Sequence, residues 1–194
     1  MKKYIKYVVI LILFIVLIIG LNWKGNDNNI INATIKIKNY GNIKLELDRD
    51  TAPITVDNFV KLSKEGFYDN LTFHRIIDGF MIQGGDPNKN GTGGSNKTIK
   101  GEFKNNGVNN KISHTRGVIS MARSSDNNSA SSQFFIMQKD NTYLDGEYAA
   151  FGKVTSGIEI VDKIVNDVSK YGDGNGLIPE DKQPIIETIS IEEK

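Results

Sequence analysis

One arginine and two glutamines stand where strand-forming apolar residues would be expected. Arg75 lies inside Leu71-Thr72-Phe73-His74-Arg75-Ile76-Ile77, Gln83 closes Phe80-Met81-Ile82 ahead of two glycines, and Gln133 precedes Phe134-Phe135-Ile136. Arginine is seldom buried without a partner, so a cation on a strand beside Phe and Met surface marks a place where charge is used. The usual hydrolytic arrangements are missing: there is no Gly-x-Ser-x-Gly elbow, no His-Glu-x-x-His and no cysteine. A cation, two amides and an aromatic surface suit a reaction that makes no covalent bond. The guanidinium can draw electron density toward itself, the amides can hold a backbone carbonyl, and the apolar surface can grip a ring.

The elements that must position these groups are mostly short strands. Ala33 to Lys38 alternates Ile35 and Ile37 with polar residues, Asn39 to Asn42 reads as a turn, and Ile43 to Leu47 alternates again, which predicts a hairpin. Thr51-Ala52-Pro53 opens a helix with Val56, Phe59, Val60 and Leu62 on its apolar face and Gly66 just past its end. Strands are expected at Leu71 to Ile77 and Met81 to Gly84, with Gly79 at the bend between them. Further strands are expected at Gly117 to Met121, Ser132 to Met137, Tyr148 to Val154 and Ile185 to Ile191, and a second helix over Gly157 to Val165. About eight strands with two widely separated helices suggest a closed antiparallel barrel, mainly β. Side chains fill the interior of such a barrel, so a site must lie on its outer wall or in its loops.

Two loop segments imitate known sites and fail the test of context. Asp86 to Gly91 follows the first half of a calcium loop, but its twelfth position is Lys97, where a bidentate glutamate is required. Gly91-Thr92-Gly93-Gly94 lacks the Lys and Ser/Thr pair of a phosphate loop. With only His74 and His114, and no cysteine, no metal site is expected and no cofactor is implied. By strand alternation His74 faces away from Arg75, and it reads as a structural histidine with a satisfied ring. His114 reads as structural too.

The 194 residues suffice for one domain and a tail. Charge is balanced, with 24 basic against 23 acidic residues, so no nucleic-acid partner is indicated. The absence of cysteine excludes disulfides and suits export. Lys2, Lys3 and Lys6 precede an unbroken apolar run from Tyr7 to Leu21, with Trp23 beyond it. Basic residues before the run place the N-terminus in the cytoplasm and the rest outside. The run is short for a span on its own but approaches one with its neighbours. The expected organisation is an uncleaved signal-anchor at 1–21 (alternatively a cleaved signal peptide and a secreted protein), a polar linker at 22–31 and a domain at 32–194. Residues 7–21 would then attach an extracytoplasmic domain to the membrane, and monomer is the default state.

The blocks around Arg75 resemble the cyclophilin family of peptidyl-prolyl isomerases. They run Phe73-His74-Arg75-Ile76-Ile77, Gly79-Phe80-Met81-Ile82-Gln83-Gly84-Gly85-Asp86 and Gly91-Thr92-Gly93-Gly94. Ser120-Met121-Ala122, Ser132-Gln133-Phe134-Phe135-Ile136, Leu144-Asp145-Gly146 and Phe151-Gly152-Lys153-Val154 continue them in the family's order, over most of residues 32 to 192. The resemblance implies a barrel of eight strands capped by two helices, a substrate groove on its outer wall, and proline-containing polypeptides as substrates.

It also implies roles. Arg75 matches the family's catalytic arginine. Phe80, Met81, Phe135 and Leu144 match its proline pocket, Gln83 and Gln133 its groove amides, and Ala122 and Arg123 positions that hold the peptide through main-chain groups. Tyr148 stands where many eukaryotic members have a pocket histidine, Arg123 where they have asparagine, and Tyr143 where they have tryptophan. The last change argues against tight cyclosporin binding. The implied reaction is rotation about X-Pro bonds, whose barrier of about 18–20 kcal/mol comes from amide resonance. A guanidinium donating to the prolyl nitrogen weakens that resonance most in the twisted transition state. The alternative is a proline-peptide-binding or chaperone module whose turnover is incidental.

Overall fold

The computed structural model describes residues 29–192. The expected anchor and most of the expected linker lie outside those residues. The first strand, β1, runs Ile30–Ile37 and so begins two residues inside the stretch read as linker. It pairs antiparallel with β2, Gly41–Asp48, across the expected turn. Helix α1, Pro53–Lys64, follows, then β3, Phe73–Ile77, and β4, Met81–Gly84. After a long loop come β5, Val118–Met121, β6, Phe134–Met137, and β7, Ala150–Ser156. Helix α2, Ile158–Val168, and β8, Ile186–Glu192, complete the chain.

The eight strands form one sheet in the order β3-β4-β6-β5-β7-β2-β1-β8, every pair antiparallel. The sheet curls into a half-barrel. Its edge strands β3 and β8 are not joined by the closed ladder expected from the strand count. The isolated bridge between Thr72 and Ile185 spans the gap just outside the two strands, with main-chain bonds from Asn70 N to Ile186 O at 2.8 Å and from Phe73 N to Pro184 O at 2.9 Å.

The inner face holds the main core. Phe59 of α1 reaches into it and touches three other rings, with centroids 5.3 Å from Tyr68, 5.4 Å from Phe134 and 5.3 Å from Phe151. Ile35, Ile43, Leu45, Ile82, Ile119 and Ile136 surround them, all buried. Helix α1 packs on β8 and β2, and α2 on β2 and β3.

The start of α1 has no capping side chain of its own, since Ala52 occupies the cap position. The exposed amides are met from a distant loop. The buried carboxylate of Glu102 accepts from Ile54 N at 3.1 Å, and from Thr55 N and Thr55 Oγ1 at 2.7 Å each. The helix ends as expected: Gly66, at φ +71°, donates to Ser63 O, and Phe67 N donates to Leu62 O, the paired bonds of a glycine-terminated helix. Gly85 also needs its residue type. At φ +83°, a Cβ there would lie 2.6 Å from Ser132 O, so only glycine lets β4 leave the sheet at this point.

Candidate active site

Strand alternation gives β4, β5 and β6 a second apolar face. Ile82 and Gly84 of β4 point inward, while Met81 and Gln83 point outward. On β6, Phe134 and Ile136 join the core, while Phe135 and Met137 join a separate outer cluster with Met81, Val118, Leu144 and Ala150. Phe80, Ala122 and Tyr148 pack against this outer cluster. Six of the residues expected in a groove therefore share one patch on the outer wall: Phe80, Met81, Ala122, Phe135, Leu144 and Tyr148. Phe80 also stacks on Tyr143, with centroids 6.2 Å apart, and Tyr143 is 69% exposed, which makes it an aromatic shelf at the rim.

The polar groups form a relay beside this patch. Arg75 and Gln83 are direct partners across β3 and β4. Arg75 Nη1 donates to Gln83 Oε1 at 3.2 Å, Gln83 Nε2 donates to Gln133 Oε1 at 2.8 Å, and Gln133 Nε2 donates to Gly93 O at 2.7 Å and Gly91 O at 3.1 Å. The far end of the relay anchors the glycine loop. Asp86 holds that loop from within: its buried carboxylate accepts from Asn88 N, Asn90 N and Gly91 N. A cavity of about 240 Å³ lies along the relay, lined by Gln83, Gln133, Thr92, Ser124, Ser129 and Ser131 among others. Among the described residues no group of three or more His, Cys, Asp or Glu is placed to hold a metal ion.

Arg75 is half-buried, and burial lowers its pKa; Tyr148, Tyr143 and Asp173 offset this. Arginine stays protonated at neutral pH all the same. Its Nε is held separately, donating to Asn175 O at 2.8 Å. Two guanidinium directions are therefore fixed from opposite sides, and the apolar patch lies beside the cation.

Arg123 does not present its side chain to the groove. The guanidinium is sandwiched between Phe103 and Tyr148, with its carbon 5.0 and 4.9 Å from the two ring centroids. Its Nε donates to Glu147 O at 2.9 Å, Nη1 to Ser124 O at 3.0 Å, and Nη2 reaches Glu147 Oε2 at 3.3 Å. That leaves its backbone as the part available to the groove, and the side chain braces Tyr148.

Several supporting residues carry no signal in the sequence. His114 is fully buried. Its Nδ1 lies 2.9 Å from Asp145 Oδ1, its Nε2 lies 3.0 Å from Ser120 Oγ, and its ring stacks on Phe135 at 6.0 Å. With His114 and Ser120 both buried, the Asp-His-Ser chain has only Asp145 at the surface and supports the floor beneath Phe135. Burial lowers the His114 pKa, against the opposing pull of Asp145. Asp145 stands lower than usual; burial opposes this but is outweighed by bonds from Ser113 and His114. His74 corrects an expectation: it is fully buried, but neither ring nitrogen has a partner in hydrogen-bond geometry. A register irregularity between Phe73 and Arg75 falls at this residue, so simple alternation does not describe its setting. Burial lowers its pKa, with Arg75 adding to the effect, while Asp86 and Gln133 pull the other way.

Comparison with known proteins covers most of the described region. Residues 32–192 match the family described as cyclophilin type peptidyl-prolyl cis-trans isomerase/CLD. A peptidyl-prolyl cis-trans isomerase of Helicobacter pylori (strain ATCC 700392 / 26695) is 52% identical over 134 residues, covering 68% of this chain and 78% of that protein. Peptidyl-prolyl cis-trans isomerase B of Bacillus subtilis (strain 168) is 47% identical over 129 residues, covering 66% and 87%. Among solved structures, a cyclophilin type peptidyl-prolyl cis-trans isomerase of Cryptosporidium parvum, crystallised in the presence of the dipeptide Ala-Pro, superimposes with a TM-score of 0.73 at 34% identity, covering 84% of this chain and 99% of that one.

Proposed function

The chain belongs to the cyclophilin-type peptidyl-prolyl cis-trans isomerases and is an isomerase, and from that premise we propose that Arg75 drives the rotation by donating to the prolyl nitrogen of a substrate seated on the outer patch. The observation that carries this reading is the position of Arg75, a half-buried cation held beside an apolar patch. In the ground state the prolyl nitrogen shares its lone pair with the carbonyl and accepts poorly. In the twisted state the lone pair is localised on nitrogen, so a fixed N–H donor stabilises that state selectively. The donor needs no reorganisation at the moment of reaction, because Gln83 and Asn175 already orient it.

In this reading the pyrrolidine ring packs among Phe80, Met81, Phe135 and Leu144, with Tyr148 closing one side. Gln83 and Gln133 hold flanking main chain, and the backbone at Ala122 and Arg123 pairs with the peptide. The Ala-Pro dipeptide with which the Cryptosporidium parvum relative was crystallised supports proline-containing substrates here. We further assign the domain to the extracytoplasmic side of a membrane, tethered through residues 7–21, because the basic residues precede the apolar run.

The test is a proline-isomerisation assay of the full-length chain in detergent with an Ala-Pro peptide. Uncatalysed rotation takes tens to hundreds of seconds, so catalysis stands well clear of background. Arg75→Ala should lower kcat/KM by about 100-fold, roughly 2.7 kcal/mol of transition-state stabilisation, with the unfolding free energy changed by less than about 1 kcal/mol. An Arg75→Ala variant as fast as the parent removes this residue from the mechanism.

A further inference from the structure

Arg75 is held by two groups, and only one belongs to the sheet. Gln83 is its ladder partner on β4. The other edge of β3 is covered by the loop at 172–178, which docks along it: Ile76 N donates to Gly176 O at 2.8 Å, Ile178 N donates to His74 O at 2.9 Å, and Leu177 forms a bridge with Arg75. From this loop the carbonyl of Asn175 accepts the Arg75 Nε–H. Asn175 sits between Gly174 and Gly176, so its own neighbours supply little stiffness.

One side chain ties the tip of the loop. Asp173 Oδ1 accepts from Asn175 N at 2.8 Å and from Leu177 N at 2.9 Å. The Asp173 main chain closes the same loop, donating to Leu177 O at 3.0 Å and accepting from Gly176 N at 2.9 Å. Gly176, at φ +82°, fits because a Cβ there would overlap Ile77 Cγ1 and lie 2.9 Å from Ile76 O. The loop is thus pressed tightly on β3 at Gly176 and tied across its tip by an exposed carboxylate. We infer that Asp173 is a positioning residue: its carboxylate fixes the Asn175 carbonyl that orients the Arg75 guanidinium toward the substrate. The inference rests on the assignment of Arg75 above. It adds a residue, Asp173, that is not among those forming the outer cluster or packed against it.

The chemistry predicts which replacement is tolerated. Both tip bonds go to a single oxygen, so Asp173→Asn retains the acceptor and loses only the charge, whereas Asp173→Ala loses both bonds. A donor displaced by a fraction of an ångström from its productive position loses transition-state stabilisation but leaves the binding patch intact. The experiment uses the full-length chain and two readouts. Asp173→Ala should lower kcat by about tenfold with KM unchanged, and the Arg75 Nε–H resonance in nitrogen-resolved NMR should move and exchange faster with solvent. Asp173→Asn should restore both. Unchanged kcat in Asp173→Ala overturns the inference, as does a loss of rate with an unaltered Nε–H signal, because the effect would not then pass through Arg75. Failure of Asp173→Asn to restore the rate also overturns it, since charge and not loop geometry would be at work. Should Arg75→Ala alone keep the parental rate, the mechanism falls first, and the Nε–H signal still decides whether Asp173 holds Arg75.

Discussion

The two faces of β4 and β6 carry apolar residues in equal measure and use them differently. Inside, Phe134 meets Phe59, Tyr68 and Phe73 edge-on, with centroids 5.4, 5.6 and 6.0 Å away, and is fully buried. Outside, its neighbour Phe135 rests on His114 and Tyr148 and lies next to Gln83 in the ladder. The inner cluster is closed by both helices and by apolar residues on every side. The outer one is open at Phe80 and Tyr143 and bordered by a cation and two amides. Burial of this size inside a half-barrel is what folding requires. The outer cluster is buried too, but its rim at Phe80 and Tyr143 stays accessible beside polar groups, the setting proposed above for a substrate ring.

The sharpest way to break this comparison is to truncate the two neighbours separately. Phe134→Ala should cost about 3–5 kcal/mol of stability, because it opens a cavity among three aromatic rings that cannot collapse. Phe135→Ala should cost less, about 2–3 kcal/mol, because Phe135 meets only His114 and Tyr148 among the rings, and yet lower kcat/KM more than tenfold, since the patch no longer grips a ring. Urea midpoints and peptide assays on the two variants measure both quantities. Equal destabilisation with equal activities would mean that the two faces are one core.

Glu102 sharpens the same contrast with a polar group. Its carboxylate supplies the cap that Ala52 cannot give α1. Glu102→Ala leaves the first amides of α1, at Ile54 and the buried Thr55, and the Thr55 hydroxyl without a partner and should cost about 1–3 kcal/mol. It lies on the structural side of the molecule, so kcat/KM of the folded enzyme should equal the parent's at a temperature well below its lowered Tm. A fall in kcat at that temperature would show that α1 communicates with the outer patch.

The difference between the faces also explains what could be read from the chain. The alternating hairpin of β1 and β2 was legible because its outer face is plainly polar: Lys36 and Lys44 point to solvent while Ile35, Ile43 and Leu45 are buried. Strand β6 reads Phe-Phe-Ile-Met without alternation, because both of its faces are covered. Its position could be found, but the separation into core and groove needed the family resemblance. The grouping of Arg75 with Gln83 followed from strands only a bend apart. Four things were hidden because they depend on contacts distant in sequence: Glu102 to Thr55, Asp145 to His114, Arg123 to Glu147, and Asn175 to Arg75. The departure from a closed ladder was hidden for a similar reason. Strand count alone does not say that the edges meet at Thr72 and Ile185, outside both strands. Asp173-Gly174-Asn175-Gly176 does read as a turn, but nothing local says what the turn faces.

The smallest expected effect separates the two histidines, one behind each kind of environment. Both have a pKa lowered chiefly by burial, so folding favours the neutral ring in each. The unfolded chain binds more protons between the lowered folded value and about 6.5, the ordinary value for the side chain. The associated stability is therefore fully present above about pH 6.5 and is lost as the pH falls below it. His114 has Asp145 on one nitrogen and Ser120 on the other, and Asp145 partly accommodates the added proton. His74 has Asp86 and Gln133 in its field but no hydrogen-bonded partner, and Arg75 opposes its charging. His74→Gln should therefore flatten the fall in stability between pH 7 and 5 more than His114→Gln does. Only His114 stacks on Phe135, so only His114→Gln should raise KM for the peptide at pH 7. Urea midpoints across that range, with peptide kinetics at pH 7, give both answers. If His114→Gln flattens the curve more, the ion pair with Asp145 stabilises the charged ring less than the geometry indicates. If KM then also stays unchanged, the support beneath Phe135 comes from Tyr148 and its Arg123 brace, and the outer patch stands independently of the chain Asp145-His114-Ser120.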